Sequence, residues 1–189
     1  MRFNIIVGMC KGGGIGLKGS LPWHFKKDMK FFQKNTTGIG NNKNAVIMGR
    51  KTWDSIPVNY KPLKNRDNII LTRVQNKEEY PRPQITDIIR ENMYFFPDID
   101  NVFEFCYKRD YHDVWFIGGE EIYRQLIPSL DTKINNIYIT MIHKDYVCDA
   151  FFPITNRMWG TNFSQKIINI DSENSVKLTF IKYKNELLE

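Results

Sequence analysis

The sequence predicts an α/β fold with a mainly parallel, twisted central sheet, an antiparallel C-terminal edge and helices on both faces. Two observations support this prediction. Short apolar runs bounded by Gly, Asn or Asp are typical of strands buried on both faces of a parallel sheet, and they occur at residues 3–9, 45–48, 69–71 and 114–117. Polar and apolar residues alternate at 137–142 and 176–183, which indicates half-exposed, antiparallel strands.

Helices are expected between the buried strands, because parallel strands need long crossover connections. The helical segments are predicted at residues 24–35, 50–56, 100–108 and 120–126. Residues 76–98 are rich in charge and proline and predict a loop-dominated connection with a short strand at 94–96. No repeat or long linker interrupts this pattern, so we expect a single domain over residues 1–189.

The composition indicates a folded domain that attracts anions. Apolar residues make up 42% of the 189 residues and aromatic residues 14%, which allows a core and excludes the disordered and collagen-like classes. The 27 Lys and Arg exceed the 21 Asp and Glu, so the formal net charge is +6. This charge favours anionic partners without distinguishing nucleic acid from phosphorylated small molecules.

The cysteines and the N-terminal segment indicate a reducing compartment. Cys10, Cys106 and Cys148 are odd in number, widely spaced and without a CxxC motif, which predicts buried thiols rather than disulfides or zinc ligands. The three histidines form no metal-binding pattern, and no metal is expected. The first apolar run ends at Lys11, too early for a signal peptide or a membrane helix, so we expect a cytoplasmic protein.

Asp28 lies on the apolar face of the helix predicted at residues 24–35. At about 100° per residue, Phe25, Met29 and Phe32 share one arc with Asp28, and lysines occupy the opposite face. Burying an unpaired carboxylate is costly, so this side chain needs hydrogen-bond donors or a pocket. One hypothesis is a ligand-facing acid with a pKa raised by desolvation, and the other is a structural carboxylate that caps a loop or pairs with a distant arginine.

The segment Gly14-Ile15-Gly16-Leu17-Lys18-Gly19 matches the G-x-G-x-x-G spacing of dinucleotide-binding proteins. That fingerprint also requires a helix at its third glycine and an acidic residue about 20 residues further on. Here Pro22 follows almost at once, and residues 38–44 contain no acid. We therefore reject the fingerprint and predict a glycine-hinged loop over a pocket, with an ordinary surface turn as the alternative.

Cations and glycines follow several predicted strands, at the sheet edge where ligands of open α/β folds usually bind. Glycines allow a ligand to approach the backbone, and cations with hydroxyls suit phosphate groups, although a solvated basic turn is the alternative reading. The residues are Gly49, Arg50, Lys51 and Thr52 after the second apolar run, Thr72 and Arg73 after the third, Gly118 and Gly119 after the fourth, and Arg66 shortly before the third. The pattern predicts a phosphorylated cofactor beside a pocket that contains one acid.

Several short motifs occur in order over nearly the whole chain. They are Gly14-Ile15-Gly16, Leu21-Pro22-Trp23 with Asp28 five residues on, Met48-Gly49-Arg50-Lys51-Thr52-Trp53-Asp54-Ser55-Ile56-Pro57, Arg66-Asp67-Asn68-Ile69-Ile70-Leu71-Thr72-Arg73, Ile117-Gly118-Gly119-Glu120-Glu121-Ile122-Tyr123, Thr140, and Asp149-Ala150-Phe151-Phe152-Pro153. Each motif alone has moderate specificity, but the ordered set is highly specific. The sequence resembles the dihydrofolate reductase family.

The resemblance implies reduction of 7,8-dihydrofolate to tetrahydrofolate, with a hydride from NADPH reaching C6 of the pterin and a proton reaching N5. Asp28 would be the single acid of the site and would bond the pterin's amino group and ring nitrogen, with Thr140 supporting it. A water under the loop is expected to be the immediate proton donor. The implied catalytic residues are Asp28, Thr140, Trp23 and Leu21.

The resemblance also implies where the ligands bind. The pterin and benzoyl pocket would consist of Ile6, Met29, Phe32, Ile56 and Leu63 with Asp28 and Thr140, and Arg66 would clamp the substrate's α-carboxylate. The implied cofactor-binding residues are Gly8, Ile15, Gly16, Leu17, Lys18, Gly19, Ser20, Leu21, Gly49, Arg50, Lys51, Thr52, Leu71, Thr72, Arg73, Ile117, Gly118, Gly119, Glu120, Glu121, Ile122 and Tyr123. Cations beside the adenosine 2′-phosphate favour NADPH, because NADH lacks that dianion.

Three alternatives remain beside this interpretation. A reductase of a related heterocycle, such as a riboflavin-pathway pyrimidine, would not need both Asp28 and Arg66. A nucleic-acid-binding module would use the positive charge, but the sequence has no recognised binding motif. A catalytically inactive cofactor binder would not need an intact Asp28. Gly8 stands where the family usually has alanine, a difference that removes no functional group.

We expect a monomer that binds small molecules but neither nucleic acid nor a membrane.

Overall fold

The computed structural model of the chain describes residues 1–38, 40, 43–73, 92–153 and 162–188. The strands of these residues are β1 Arg2–Cys10, β2 Gly14–Gly16, β3 Lys43–Gly49, β4 Asp67–Leu71, β5 Met93–Phe96, β6 Tyr111–Gly118, β7 Ile134–Ile142, β8 Ala150–Phe151, β9 Phe163–Glu173 and β10 Val176–Asn185. The α-helices are α1 Lys26–Thr36, α2 Arg50–Ser55, α3 Ile99–Tyr107, α4 Glu120–Leu126 and α5 Leu130–Lys133.

Eight strands form one sheet in the order β5-β4-β3-β6-β1-β7-β10-β9. The strands from β5 to β7 pair in parallel, and β10 and β9 add an antiparallel edge. This arrangement confirms the predicted fold class. Strands β2 and β8 form a separate antiparallel pair.

Strand β7 differs from its prediction as a half-exposed, antiparallel strand. It is antiparallel to β10 but parallel to β1, and it is largely buried because it lies between them. Two of its polar residues are buried and have hydrogen-bond partners: Asn136 donates to Asn4, 2.7 Å away, and Thr140 bonds to Asp28. At Thr140 the polar position in the alternation therefore reflects a buried hydrogen bond rather than exposure to solvent.

Strand β9 was not predicted from the sequence. It is the outer edge strand, and most of its side chains are exposed, including Ile167, Ile168 and Ile170. With apolar residues on both faces, the segment lacks the alternation by which a half-buried strand is recognised. Pairing with β10 over its whole length is what holds it in the sheet.

The helices agree with their predictions to within two residues at each end. Helix α1 begins two residues later than predicted, because Phe25 has an extended backbone with φ −118° and ψ 118°. Helix α2 ends before Ile56, which is extended and precedes a proline. Strand β5 confirms the short strand predicted at 94–96, and residues 74–91 of the connection before it lie outside the described residues. Helix α5 was not predicted.

The core lies on both faces of the sheet because successive strand residues point to opposite sides. Ile5 of β1 belongs to a cluster that includes Phe103 of α3 and Leu126 of α4. Its neighbour Ile6 packs in a second cluster with Trp53 of α2. Helices α3 and α4 therefore cover one face, and α2 together with the phenylalanines of α1 covers the other.

The carboxyl ends of the parallel strands meet at one edge of the sheet. The register pairs Gly49 with Leu71 and Met48 with Gly118, so the ends of β3, β4 and β6 are adjacent. The glycines and cations that follow these strands in the sequence are thus brought together. Among the helices of the described residues, none has the length and hydrophobicity of a membrane span.

Candidate functional site

A large cleft opens at this edge, between α1 on one side and α2, α4 and the β2 segment on the other. Its volume of about 1960 Å³ exceeds the roughly 300 to 1,000 Å³ of a pocket for one drug-sized ligand, which leaves room for two ligands. The predicted residues that line it are Ile6, Gly8, Ile15, Gly16, Lys18, Gly19, Ser20, Leu21, Trp23, Asp28, Met29, Phe32, Gly49, Arg50, Lys51, Thr52, Ile56, Leu63, Arg66, Leu71, Thr72, Arg73, Ile117, Gly119, Glu120, Glu121, Ile122 and Tyr123.

Asp28 lies in the first turn of α1, with its carboxyl group against β1 and β7. A methyl group placed on Gly8 would approach Oδ2 of Asp28 to 3.1 Å, so the carboxyl group lies directly over the β1 backbone. Burial raises the pKa of Asp28. The hydroxyl of Thr140 bonds to the carboxyl group and partly offsets this rise, while the negative charge of Glu173 adds to it.

The walls beside Asp28 are apolar. Ile6, Ile56, Leu63 and Phe32 belong to, or pack against, the same hydrophobic cluster. Met29 is 45% exposed because it faces the cleft rather than the core. A flat aromatic ligand would be contacted on both sides by these side chains, with the carboxyl group at the inner end.

Arg66 is held rigidly at the outer end of the apolar walls. Its side chain is buried, and its Nη1 donates to the hydroxyl of Thr36 while its Nε donates to the carbonyl of Lys64 at 3.0 Å. The guanidinium also lies over the ring of Phe32, 5.8 Å from its centre. Burial lowers the pKa of Arg66 to about 10, so it remains positively charged at neutral pH and suits a carboxylate.

The glycines at the ends of β3 and β6 bring two backbone segments close together. A methyl group on Gly119 would approach Oγ1 of Thr52 to 3.2 Å, and one on Gly49 would approach Cγ1 of Ile122 to the same distance. Gly118 has φ +102° and packs against the ring of Tyr123. Without side chains at these positions, a ligand can contact the backbone directly.

Cations surround these glycines. Arg50 lies 3.7 Å from Asp54 and Arg73 lies 3.3 Å from Glu121, so each has an acidic neighbour at the surface. Lys51 is exposed beside Arg50. Surface ion pairs of this kind are weak, so the cations can reorient toward a phosphate.

The glycine-rich segment forms a small structure of its own at the cleft entrance. Gly14 and Gly16 pair with β8, and the amide of Lys18 donates to Oδ2 of Asp149 at 2.9 Å. Lys18 itself has φ 49°, in the left-handed region. No helix follows directly, since α1 begins only at Lys26, which agrees with rejection of the dinucleotide fingerprint.

Three predicted residues do not line the cleft. Thr140 lies behind Asp28, Gly118 is buried under Tyr123, and Leu17 bonds with Ser20 in the turn of the glycine-rich segment. Thr140 still bonds to Asp28, and Gly118 still packs against Tyr123, and both of these partners line the cleft.

Several residues of the site were missed from the sequence, and three of them make long-range hydrogen bonds. Asp149 is within a quoted motif, but its bond to Lys18 depends on a contact across 131 positions. Thr36 accepts a hydrogen bond from Arg66, and Glu173 accepts one from the first turn of α1. Both contacts likewise form only in the tertiary structure. No local pattern in the sequence could have identified these contacts.

Metal ligation is not indicated within the described ranges. No three His, Cys, Asp or Glu side chains come together there as metal ligands would. The three cysteines are free thiols, with 3.8 Å between the sulfurs of Cys10 and Cys148. Cys10 and Cys106 are buried as predicted, but Cys148 is only half-buried.

Comparison with known proteins identifies the family. The family profile described as dihydrofolate reductase matches residues 2–185. The dihydrofolate reductase of Heliothis virescens is 37% identical over 156 residues, which cover 81% of this chain and 80% of that protein. That of Aedes albopictus is 36% identical over 154 residues, or 80% and 79% of the two chains, and that of Schistosoma mansoni is 34% identical over 158 residues, or 81% and 78%. The chain belongs to the dihydrofolate reductase family.

Proposed function

We propose that the protein reduces 7,8-dihydrofolate to tetrahydrofolate with NADPH, as a cytoplasmic monomer that supplies one-carbon metabolism. Family membership supports the activity. The observation that carries the proposal is the pairing of one inward-facing acid, Asp28, with one buried cation, Arg66, along the same apolar wall. A pterin with a benzoyl-glutamate tail has a hydrogen-bonding ring at one end and a carboxylate at the other.

Asp28 binds and orients the pterin in this proposal. Its two carboxylate oxygens accept hydrogen bonds from the amino group and a ring nitrogen of the substrate, which fixes the ring along the floor of the cleft. Thr140 holds the carboxyl group from behind. The raised pKa of Asp28 favours a proton shared between its carboxyl group and the pterin. A water at the cleft entrance delivers a proton to N5.

Arg66 binds the other end of the substrate. Its Nη1 and Nε are already committed to Thr36 and Lys64, so the guanidinium is fixed before the ligand arrives. A pre-oriented fork matches the two oxygens of an α-carboxylate and loses little conformational entropy on binding.

The second half of the cleft fits a dinucleotide that carries a 2′-phosphate. The fit rests on the accessible backbone at Gly49 and Gly119, which a side chain would obstruct. It also rests on the cations Arg50, Lys51 and Arg73. Thr52 and Thr72 offer hydroxyls to the phosphates. When bound, NADPH supplies the hydride that reaches C6 of the pterin.

Residues around the nicotinamide end exclude water and set the approach of the two rings. Gly8 and Ile117 lie on the sheet side, and Ile15, Ser20 and Leu21 belong to the glycine-rich segment. The hydrogen bond from the backbone amide of Lys18 to the side-chain carboxylate of Asp149 holds this segment across the entrance. Such closure lowers the local dielectric and brings the reacting atoms together.

The proposal is tested by following NADPH absorbance after dihydrofolate is added. We expect dihydrofolate-dependent oxidation in the native protein and a strong loss of turnover in Asp28→Asn at neutral pH. Absence of any dihydrofolate-dependent oxidation by the native protein would refute the activity, and reduction of a ribityl pyrimidine instead would assign a different substrate.

Cofactor choice is tested separately. Arg73→Gln and Lys51→Gln should raise the KM for NADPH several-fold and leave the KM for NADH almost unchanged, since NADH has no 2′-phosphate. Equal effects on both cofactors would contradict this assignment.

A further inference from the structure

We propose that Glu173 is a positioning residue for Asp28: from the tip of the β9–β10 hairpin it caps the first turn of α1 and holds the acid in the cleft. Only the role of Asp28 in this inference rests on the proposed function. The capping contacts are independent of it.

Helix α1 has no N-terminal cap of its own. The residue at the capping position is Phe25, which has no side-chain acceptor, although the amides of the first turn require one. Glu173 satisfies them from the other end of the chain: Oε1 accepts from the amide of Lys26 and Oε2 from that of Lys27, both at 2.9 Å. Asp28 is the next residue along the helix.

The hairpin tip is well placed to act as a clamp. Asn174 and Ser175 form its turn, with φ 51° and 61°, and Glu173 is the last residue of β9. On the same side, the ammonium group of Lys27 bonds to Asp171 and donates to the carbonyl of Ser172 at 2.9 Å. Both the backbone and a side chain of the first helical turn are therefore tied to the hairpin.

The same part of the sheet holds Asp28 from a second direction. Strand β10 pairs with β9 through Val176 and Glu173, and with β7 through Phe180 and Thr140. Thr140 bonds to the Asp28 carboxyl group, and Glu173 bonds to the backbone that carries it. The acid is thus located between two points of one continuous β-sheet.

Glu173 also acts on Asp28 through its charge. Its carboxylate contributes to the raised pKa of Asp28, whereas the hydrogen bond from Thr140 opposes the rise. The nearby charges of Lys27 and Asp171 are paired with each other. Loss of the Glu173 charge should therefore lower the pKa of Asp28, an effect that a purely structural residue would not have.

Two variants and one control test the proposal in the full-length protein. Glu173→Ala removes both acceptors and the charge, and Glu173→Gln removes the charge but retains one oxygen acceptor. Glu104→Gln is the matched control, because Glu104 is an exposed carboxylate on α3, on the opposite face of the sheet.

The first readout is hydrogen exchange at the amides of Lys26 and Lys27. Loss of a helix cap should accelerate their exchange about fivefold in Glu173→Ala, with a smaller increase in Glu173→Gln and none in Glu104→Gln. The second readout is the dissociation constant of dihydrofolate without NADPH, which should rise about three- to tenfold in Glu173→Ala, while NADPH binding changes by less than about twofold. The third is the pH dependence of turnover, whose midpoint should move to lower pH in both Glu173 variants.

The outcomes separate this inference from the proposed function. If the native protein reduces dihydrofolate and both Glu173 variants behave like Glu104→Gln in all three measurements, the inference fails and the function stands. If the native protein shows no such activity, the function fails, while faster exchange at Lys26 and Lys27 would still establish the cap. Faster exchange with unchanged dihydrofolate binding and an unchanged pH midpoint would overturn the positioning role.

Discussion

The hydroxyl of Thr36, the last residue of α1, accepts a hydrogen bond from Nη1 of Arg66, which immediately precedes β4. The same hydroxyl donates to the carbonyl of Phe32 at 2.8 Å, so its orientation is fixed by the helix. Asn44 adds a bond to the Thr36 carbonyl at 3.2 Å. The end of α1 therefore determines where the buried guanidinium points.

Thr36→Val should consequently weaken substrate binding. Loss of a hydrogen bond to a charged group costs about 1.5 to 3 kcal/mol, so we expect the KM for dihydrofolate to rise roughly tenfold or more. The KM for NADPH should change by less than about twofold, since Arg66 lies at the substrate end. Thr36→Ser retains the hydroxyl and serves as the control in steady-state kinetics. Equal increases for both ligands would show that the substitution disturbs the whole fold instead.

The raised pKa of Asp28 makes stability depend on pH. Because the folded protein holds this proton more tightly than the unfolded chain, the contribution of Asp28 to stability is fully present below the ordinary carboxyl pKa and is lost as pH rises through the higher pKa of the native state. Asp28→Asn has no carboxyl group to ionise, so the variant does not lose stability in this way as pH rises. We expect its Tm to exceed that of the native protein at about pH 8 and the difference to shrink toward about pH 4, in calorimetry with Asp110→Asn as an exposed control. A Tm below the native value at both pH values would contradict the assigned burial.

Asp149 should control the glycine-rich segment. Its carboxylate accepts from the amide of Lys18, and its own amide donates to the carbonyl of Gly16 at 2.9 Å. Asp149→Ala removes the first bond, and we expect kcat/KM to fall roughly tenfold, the effect of one lost hydrogen bond to a charged group. Asp145→Ala is the matched control, because the Asp145 side chain is 83% exposed and its ion pair with Lys11 is long, at 3.9 Å. Similar kinetics for both variants would rule out this control of the segment.

Gly14 is predicted to be essential for packing rather than for backbone freedom. Its φ of −63° suits any residue, but a methyl group would lie 2.5 Å from the sulfur of Cys148 and 2.9 Å from that of Cys10. Gly14→Ala should therefore lower stability by about 1 to 3 kcal/mol. Gly16→Ala, whose nearest contacts are 3.5 Å and longer, should cost less. Adding Cys148→Ala to Gly14→Ala removes the nearest atom and should recover part of the loss in urea unfolding, although the contacts with Cβ of residue 148 at 2.8 Å and with the Cys10 sulfur remain. No recovery would show that the Cys148 sulfur is not the main source of the loss.

Local sequence patterns were sufficient for the buried strands and for the helix that carries Asp28, because burial on both faces and helical periodicity leave direct traces in the residue order. They were insufficient for β9, whose exposed isoleucines follow no alternation, and for β7, where Thr140 is polar yet buried. The remaining contacts are long-range. Glu173 lies 147 positions from Lys26, and only the paired strands β9, β10 and β7 bring them together.

The position of β1 between β6 and β7 has a consequence for synthesis on the ribosome. Strand β1 pairs with residues 113–116 on one side and 134–142 on the other, so during synthesis it has neither neighbour until those residues have been made. The apolar side chains of β1 lack their sheet neighbours during that time, and strands that expose apolar side chains are prone to aggregate. Pairing of β1 with both neighbours is thus expected only after residue 142 has emerged, and the nascent chain should depend on chaperones most before that point.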